Sequence, residues 1–200
     1  MRKALASKLP ALAWALLAAL PLPAQADEAA AWTALRSGQA VVALMRHADA
    51  PGVGDPPGWR LDDCRTQRNL SAEGHAQARA AGERFRAERV SIARLVSSPW
   101  CRCIDTARLM NLGPVQTDPT FSNAFVLSDQ HDALTAGARK VIAAWQGPGA
   151  LLVVTHGANI RALTGRSLAS GDVIVVSAGK AGVASEIGVL AVPRSLTRQR

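Results

Sequence analysis

Tyrosine is absent from this chain, and tryptophan and phenylalanine together supply only 4% of its 200 residues. Nucleic-acid binding surfaces interleave cations with aromatic platforms, and no such patch exists here. The formal net charge is +8, but past the N-terminus the basic residues are almost all arginines scattered along the chain. They solvate helix faces, and a few favour anionic substrates; nucleic acid is not an expected partner. Metal-ligating residues are also scarce, with three cysteines and four histidines spread along the sequence. Cys101-x-Cys103 finds no second ligand pair at zinc-like spacing, so no metal is expected. The glycines of Pro51–Gly58 lack phosphate-loop spacing and an accompanying lysine, which excludes a P-loop. No cofactor is called for. Internal repeats and a second domain are absent as well.

Long apolar runs number one. Leu9 to Leu22 follows Arg2, Lys3 and Lys8, and Ala24-Gln25-Ala26 has the small-x-small form of a signal-peptidase site. The run is short for a membrane span and is interrupted by Pro10 and Pro21. Residues 1–26 therefore read as a cleaved signal peptide and 27–200 as one domain of about 174 residues. The alternative is an uncleaved anchor. Cleavage removes three cations and no acids, taking the net charge from +8 to +5. The expected location is periplasmic, with no stable membrane span after cleavage.

What remains is 48% hydrophobic over the whole chain, enough for a core. Val41–Met45 is an unbroken apolar run, the mark of a strand buried on both faces, and it ends in Arg46 and His47. Leu151–Val154 repeats the pattern and ends in Thr155, His156 and Gly157. Ala93–Ser97 runs into Ser98-Pro99, which reads as an N-cap and first turn, with Arg102 in the opening turn of the helix. Reactive groups in open α/β sheets gather beyond the carboxyl ends of strands. Three strand ends thus deliver His47, Arg102 and His156, with Arg46 beside the first. Guanidinium forks next to an imidazole suit the capture of a phosphate and attack on it.

The periodicity predicts further helices over 28–37, from a Ser71 cap for about eighteen residues, over Ala133–Trp145, and briefly after His156. Short strands are expected at Val115–Thr117, Asp172–Ser177 and Ser185–Val192, with a polar, frayed tail from Pro193. The irregular segment from Pro51 to Asn69, carrying Trp59, Arg60, Arg65 and Arg68, is long for a loop without function; it is expected to overhang the site. An exported protein can hold one disulfide and one spare thiol. Cys64 bridging to Cys101 or Cys103, with Cys101 preferred, would tie that loop to the Arg102 helix. Three buried thiols are the alternative.

Leu44-Met45-Arg46-His47-Ala48 resembles the Arg-His-Gly signature of the histidine phosphatase superfamily, the phosphoglycerate-mutase-like fold. Arg68-Asn69-Leu70-Ser71-x-x-Gly74-x-x-Gln77-Ala78 is similar to its Pro-Leu-Thr-x-x-Gly-x-x-Gln-Ala helix start. Ser97-Ser98-Pro99-x-x-Arg102-x-x-x-Thr106-Ala107 resembles its second arginine motif, and Val153–Gly157 its second histidine. The resemblance implies a three-layer α/β fold, a mostly parallel central sheet with helices on both faces. It also implies hydrolysis of small phosphomonoesters through a phosphohistidine on His47, with Arg46, Arg102 and His156 holding the phosphoryl oxygens. Helix N–H groups after Pro99 would assist. Arg68, Asn69 and Asn123 are the candidates for further substrate contacts.

Two positions depart from the family. Ala48 replaces the usual glycine. Asn123 occupies the position where members that cleave alkyl phosphates commonly carry a glutamate, and an amide cannot give a proton to a departing alkoxide. Asp49, Asp129, His131 and Asp132 are the candidate substitutes. The rival readings are an envelope enzyme resembling the lipopolysaccharide-core sugar phosphatases, and a non-catalytic module that binds phosphorylated ligands.

Overall fold

A computed structural model describes residues 23–179 and 185–192. The leader proposed at 1–26 falls almost wholly outside them, as does the tail from Pro193. Helix α1 (Pro23–Ser37) leads into β1 (Val41–Arg46), and α2 (Ala72–Ala87) precedes β2 (Ile92–Ser97). Next come α3 (Cys101–Met110), β3 (Val115–Thr117), α4 (His131–Ala143), β4 (Ala150–Thr155), α5 (Gly157–Thr164), β5 (Val173–Ser177) and β6 (Ser185–Leu190).

The six strands form one sheet in the order β3-β2-β4-β1-β5-β6. Strands β3, β2, β4 and β1 are parallel to one another, and β5 is antiparallel to both β1 and β6. This is the mostly parallel, three-layer α/β architecture expected. The apolar run of β1 alternates between two cores, as a strand covered on both faces must. Val41, Ala43 and Met45 face α1, α2 and α3, joining Trp32, Leu35, Phe85, Ala107 and Met110. Val42 and Leu44 face α4 and α5, joining Ala138, Ile142 and Ile160. Strand β4 divides in the same way, Leu152 and Val154 to one side, Leu151 and Val153 to the other. Among the described residues, no helix is long and apolar enough to cross a membrane.

Three close approaches position the elements nearest the sheet's C-terminal edge. Ser71 caps α2 by accepting a hydrogen bond from the Gly74 N–H at 2.9 Å. Gly74 packs so tightly on the chain after β1 that a Cβ there would lie 2.0 Å from the Asp49 carbonyl oxygen. Gln77, one turn on, accepts from the Asp49 N–H (2.9 Å) and donates to the Ser170 carbonyl (2.8 Å). Gly171, at φ 84°, makes room for that amide, since a Cβ there would lie 2.4 Å from the Gln77 Cδ. Helix α3 begins at Cys101, after Trp100 rather than Ser98; the Ser98 hydroxyl has another partner, described below.

Cys64 and Cys101 form the disulfide, and Cys103 remains a free, fully buried thiol. The bridge pins a 3-10 turn (Cys64–Thr66) of the long loop to the first residue of α3. On a chain-entropy account, closing a loop of this length stabilises the fold by about 4 kcal/mol. Burial pushes the Cys103 thiol pKa up to about 12, so it carries no thiolate with which to attack the bridge. Thiol titration is therefore expected to find no reactive cysteine in the native protein, one in denaturant, and three after reduction. Two or more reactive thiols in unreduced, denatured protein would refute the Cys64–Cys101 pairing.

Candidate functional site

The register of β1 and β4 builds the site. Arg46 pairs with Thr155 across the parallel ladder, so His47 and His156 leave the sheet together. The His47 N–H donates to the Thr155 carbonyl (2.9 Å). The two imidazole centroids lie 5.5 Å apart, with the rings inclined at 69°. A cavity of about 360 Å³ opens over them, lined by Arg46, His47, Arg68, Asn123, His156 and Arg161 among others.

His47 is held in one tautomer. Its Nδ1 lies 2.8 Å from the carbonyl oxygen of Ala48, which can only accept, so Nδ1 carries the proton and Nε2 keeps the lone pair. The ring is only 3% exposed. Burial lowers its pKa to about 3, with the charges of Arg102, Arg68 and Arg46 adding to the effect and the Ala48 hydrogen bond opposing it. His156 is also pushed well below its usual value, chiefly by burial. Its Nε2 lies 2.8 Å from the Ser98 Oγ, and the Cys103 Sγ is 3.6 Å away. Ser98 therefore orients the second histidine and does not cap α3. Trp100 sets its ring edge-on to the His156 imidazole at 5.5 Å.

Arg46 reaches across the cavity wall, donating from Nη1 to the Leu168 carbonyl at 2.7 Å, while its Nε is buried with no partner. Gly157 lets it lie flat on the start of α5, where a Cβ would approach the Arg46 Nε to 3.4 Å. Ala48 fits without strain. It is fully buried, and its N–H donates to the Thr106 hydroxyl at 3.1 Å.

Arg102 sits differently from the expectation. Its guanidinium is wholly buried against the equally buried carboxylate of Asp55, with Nη1 and Nη2 at 2.8 and 3.3 Å from the two carboxylate oxygens. Asp55 also accepts from the Trp100 indole N–H and the Arg68 backbone N–H, each at 3.0 Å. Burial alone would raise this carboxyl's pKa; the bonds from Arg102, Arg68 and Trp100 outweigh it and hold the pKa below the ordinary value. Arg102 thus lies behind the cavity wall. The helix start behind it is also occupied, because the Cys101 N–H donates to the Gln67 Oε1 at 3.0 Å.

Arg68 does line the cavity, and it ties the overhanging loop down by donating to the carbonyls of Ala50 and Gly54. Asn69 does not reach the cavity. It is exposed and donates to the Cys64 carbonyl at 2.6 Å, bracing the disulfide turn. Asn123 lines the cavity with its Oδ1 accepting from the Phe125 N–H at 3.1 Å. Its segment is fixed by Thr155, which donates to the Phe121 carbonyl, and by Asn159, which bonds Ser122 and Ala124. None of the substitute acids lines the cavity. Asp49 is engaged by the Ser71 hydroxyl at 2.6 Å, while Asp129, His131 and Asp132 lie at the start of α4, where His131 and Asp132 pair with each other.

Sequence reasoning missed Asp55, Ser98, Gln77, Thr106 and Asn159 as parts of this assembly. Gln77, Ser98 and Thr106 stand within the motifs that resemble the family's, Ser98 read there as a helix cap, and Asp55 carried no signal beyond its place in the loop.

Residues 42–126 match the family profile described as histidine phosphatase superfamily (branch 1). That stretch contains His47, Arg102 and Asn123; His156 lies outside it and is supplied by the fold. A search of curated proteins finds no match. Among solved structures, the proposed phosphohistidine phosphatase SixA from Nakamurella multipartitia superposes with a TM-score of 0.57 at 20% identity, covering 78% of this chain and 98% of that one. The corresponding protein from Agrobacterium tumefaciens gives 0.53 at 21% identity, covering 76% and 98%. The protein histidine phosphatase SixA solved with tungstate gives 0.50 at 18%, covering 76% and 96%. At these identities the likeness is one of fold.

Two outcomes are expected from this geometry. Asp55→Ala leaves a buried guanidinium unpaired, which costs about 3–5 kcal/mol; denaturant unfolding measures it, and a loss below about 1 kcal/mol would show the pair to be solvated. The second concerns acid. Below pH ~6.5 the unfolded chain protonates both imidazoles, while native His47 resists until about pH 3. Stability present above that unfolded pKa is therefore lost as pH falls, by ~1.4 kcal/mol per pH unit for each ring. His47→Gln should flatten the fall in Tm between pH 7 and pH 4.5, and an unchanged slope would show that the His47 ring titrates normally.

Proposed function

We propose that the chain is a histidine phosphatase, working through a phosphohistidine on His47; the match of residues 42–126 to that superfamily's profile supports this. The observation that carries this is the Nδ1–H of His47 fixed on the Ala48 carbonyl, which leaves an unprotonated Nε2 in a cavity walled by Arg46, Arg68 and His156. A binding module needs anion donors but has no use for a buried imidazole held neutral. Phosphoryl transfer needs both, since charge spreads over the equatorial oxygens while the nucleophile attacks in line. Arg46, with its buried unpartnered Nε, is the principal donor to those oxygens, and Arg68 and His156 complete the ring. Arg102 acts through its buried pair with Asp55, which shapes the wall behind them.

The leaving group sets the substrate class. No carboxyl group lies among the described residues that line the cavity. Proton donation to a departing alkoxide is worth about 10²–10⁴-fold, and Asn123 cannot supply it. The substrates are therefore phosphoryl compounds whose leaving groups depart without help: aryl and acyl phosphates, anhydrides, and phosphoramidates such as the phosphohistidine named for the SixA relatives. Sugar phosphates of the lipopolysaccharide core, which must release an alkoxide, suit this cavity less well. The enzyme acts after export. The charged and apolar leader with its small-x-small site supports this, as does a disulfide, a bond that persists in oxidising compartments.

Rapid-quench trapping is expected to yield an acid-labile, alkali-stable phosphoenzyme in wild type and none in His47→Ala, with turnover abolished in that variant. The kcat/KM for 4-nitrophenyl phosphate should exceed that for an alkyl phosphate by about 10²–10⁴-fold. Full activity of His47→Ala would end the covalent reading, and an aryl-to-alkyl ratio near one would mean that an acid operates after all.

A further inference from the structure

The cavity carries more positive charge than one phosphoryl group can use. Arg46, Arg68 and Arg161 line it, with no carboxylate among its described lining residues. Arg46 and Arg68 donate to backbone carbonyls and make no ion pair; Asp55 and Asp49 act on Arg68 only from a distance. Arg102 is paired with Asp55 behind the wall, so the two together bring little net charge. Both imidazoles are neutral. Three guanidinium charges thus face a phosphoryl dianion, and one is left over.

Arg161 is that surplus cation. It is exposed and has no side-chain partner among the described residues. It lies four residues beyond Gly157, hence on the same face of α5 and ~6 Å further along the axis. Gly157 backs onto Arg46, where a Cβ would lie 3.4 Å from the Arg46 Nε, so Arg161 stands one helical turn further along α5 from the phosphoryl site. Beyond it the mouth carries two exposed apolar side chains, Phe125 (61%) and Val53 (89%), both lining the same cavity.

We propose that Arg161 is a second-anion subsite, and that the protein takes phosphoanhydrides with an apolar or aromatic body, the class of the nucleoside diphosphates. This rests on the phosphatase reading above and narrows its leaving group to one that is itself a phosphate. Such a group meets both conditions at once: it departs without a proton, and it carries the third negative charge to Arg161. His47 Nε2 forms the N–P bond to the terminal phosphorus as the bridging P–O bond breaks, and the electron pair leaves on the inner phosphate. Water then adds to phosphorus, the N–P electron pair returns to Nε2, and the protons of water pass to orthophosphate and solvent. Phe125 and Val53 cover the nucleoside end.

The test is steady-state kcat/KM of the full chain and its Arg161→Ala and Arg161→Lys variants on ADP, acetyl phosphate and 4-nitrophenyl phosphate. Loss of a charge-assisted contact predicts that the ADP-to-aryl ratio falls about ten- to a hundredfold in Arg161→Ala, with partial recovery in Arg161→Lys. An unchanged ratio, or a wild type that cleaves the aryl ester and ignores ADP, overturns the subsite while sparing the phosphatase reading. An equal fall for acetyl phosphate overturns it too, by assigning Arg161 to any departing oxyanion. A wild type inert on all three overturns both.

Discussion

Strands β1 and β4 run parallel with Arg46 opposite Thr155, and everything at the site follows from that register. A slip of one residue would turn each strand's side chains over to the other core, exchanging Met45 with Leu44 and carrying His47 away from His156. The slip is resisted because both faces of β1 are buried in well-filled clusters. The loop before β5 reinforces it from the other side: the Arg46 N–H donates to the Asp172 carbonyl, and the Gly171 N–H is shared between the carbonyls of Arg46 and His47. The packing of five apolar residues in the middle of the sheet thereby sets the position of the His47 imidazole at its edge.

The electrostatics build on that rigidity. Burial penalises a proton on either imidazole, and the guanidiniums gathered beside them repel it further; the result is a pair of neutral histidines. Asp55 pairs with one of these cations, drawing in Trp100 and the Arg68 backbone as it does so. The disulfide works on the same region, since Cys101 opens the helix that carries Arg102. The long loop is thus stitched at Cys64, Asp55 and Arg68, and its residues Gly52, Val53, Gly54 and Arg68 form a wall of the cavity.

Legibility in the sequence followed periodicity and failed where tertiary partners decided. Val41–Met45 and Leu151–Val154 are continuous apolar runs whose meaning does not depend on context, and the strands, their polar termini and the two histidines were readable from them. The Ser71 cap was readable because capping is local. Ser98 looked equally good as a cap, yet its hydroxyl is claimed by His156 across the sheet, and α3 starts later. Arg102 was correctly placed on the first turn of its helix, but only the folded chain brings Asp55 to it from 47 residues away. Asn69 sat in a motif with Arg68, yet of these two adjacent side chains one lines the cavity and the other donates to the Cys64 carbonyl in the disulfide-bonded turn.

The amide at Asn123 shows how one residue changes the work a segment does while its geometry is kept. Thr155 and Asn159 hold residues 121–124 by their backbones, so the side chain at this position is presented to the cavity whatever its identity. An acid there would hand over a proton. The amide spends its Oδ1 on the Phe125 N–H, and the group left to face a substrate is an N–H donor. Such a donor can bind a phosphoryl oxygen or an anionic leaving group, and it repels neither, whereas an ionised carboxylate would oppose the second anion that the surplus cation at Arg161 calls for. The amide at Asn123 and the positive lining of the cavity thus act in the same direction, since both favour an anionic group at this wall and neither offers it a proton.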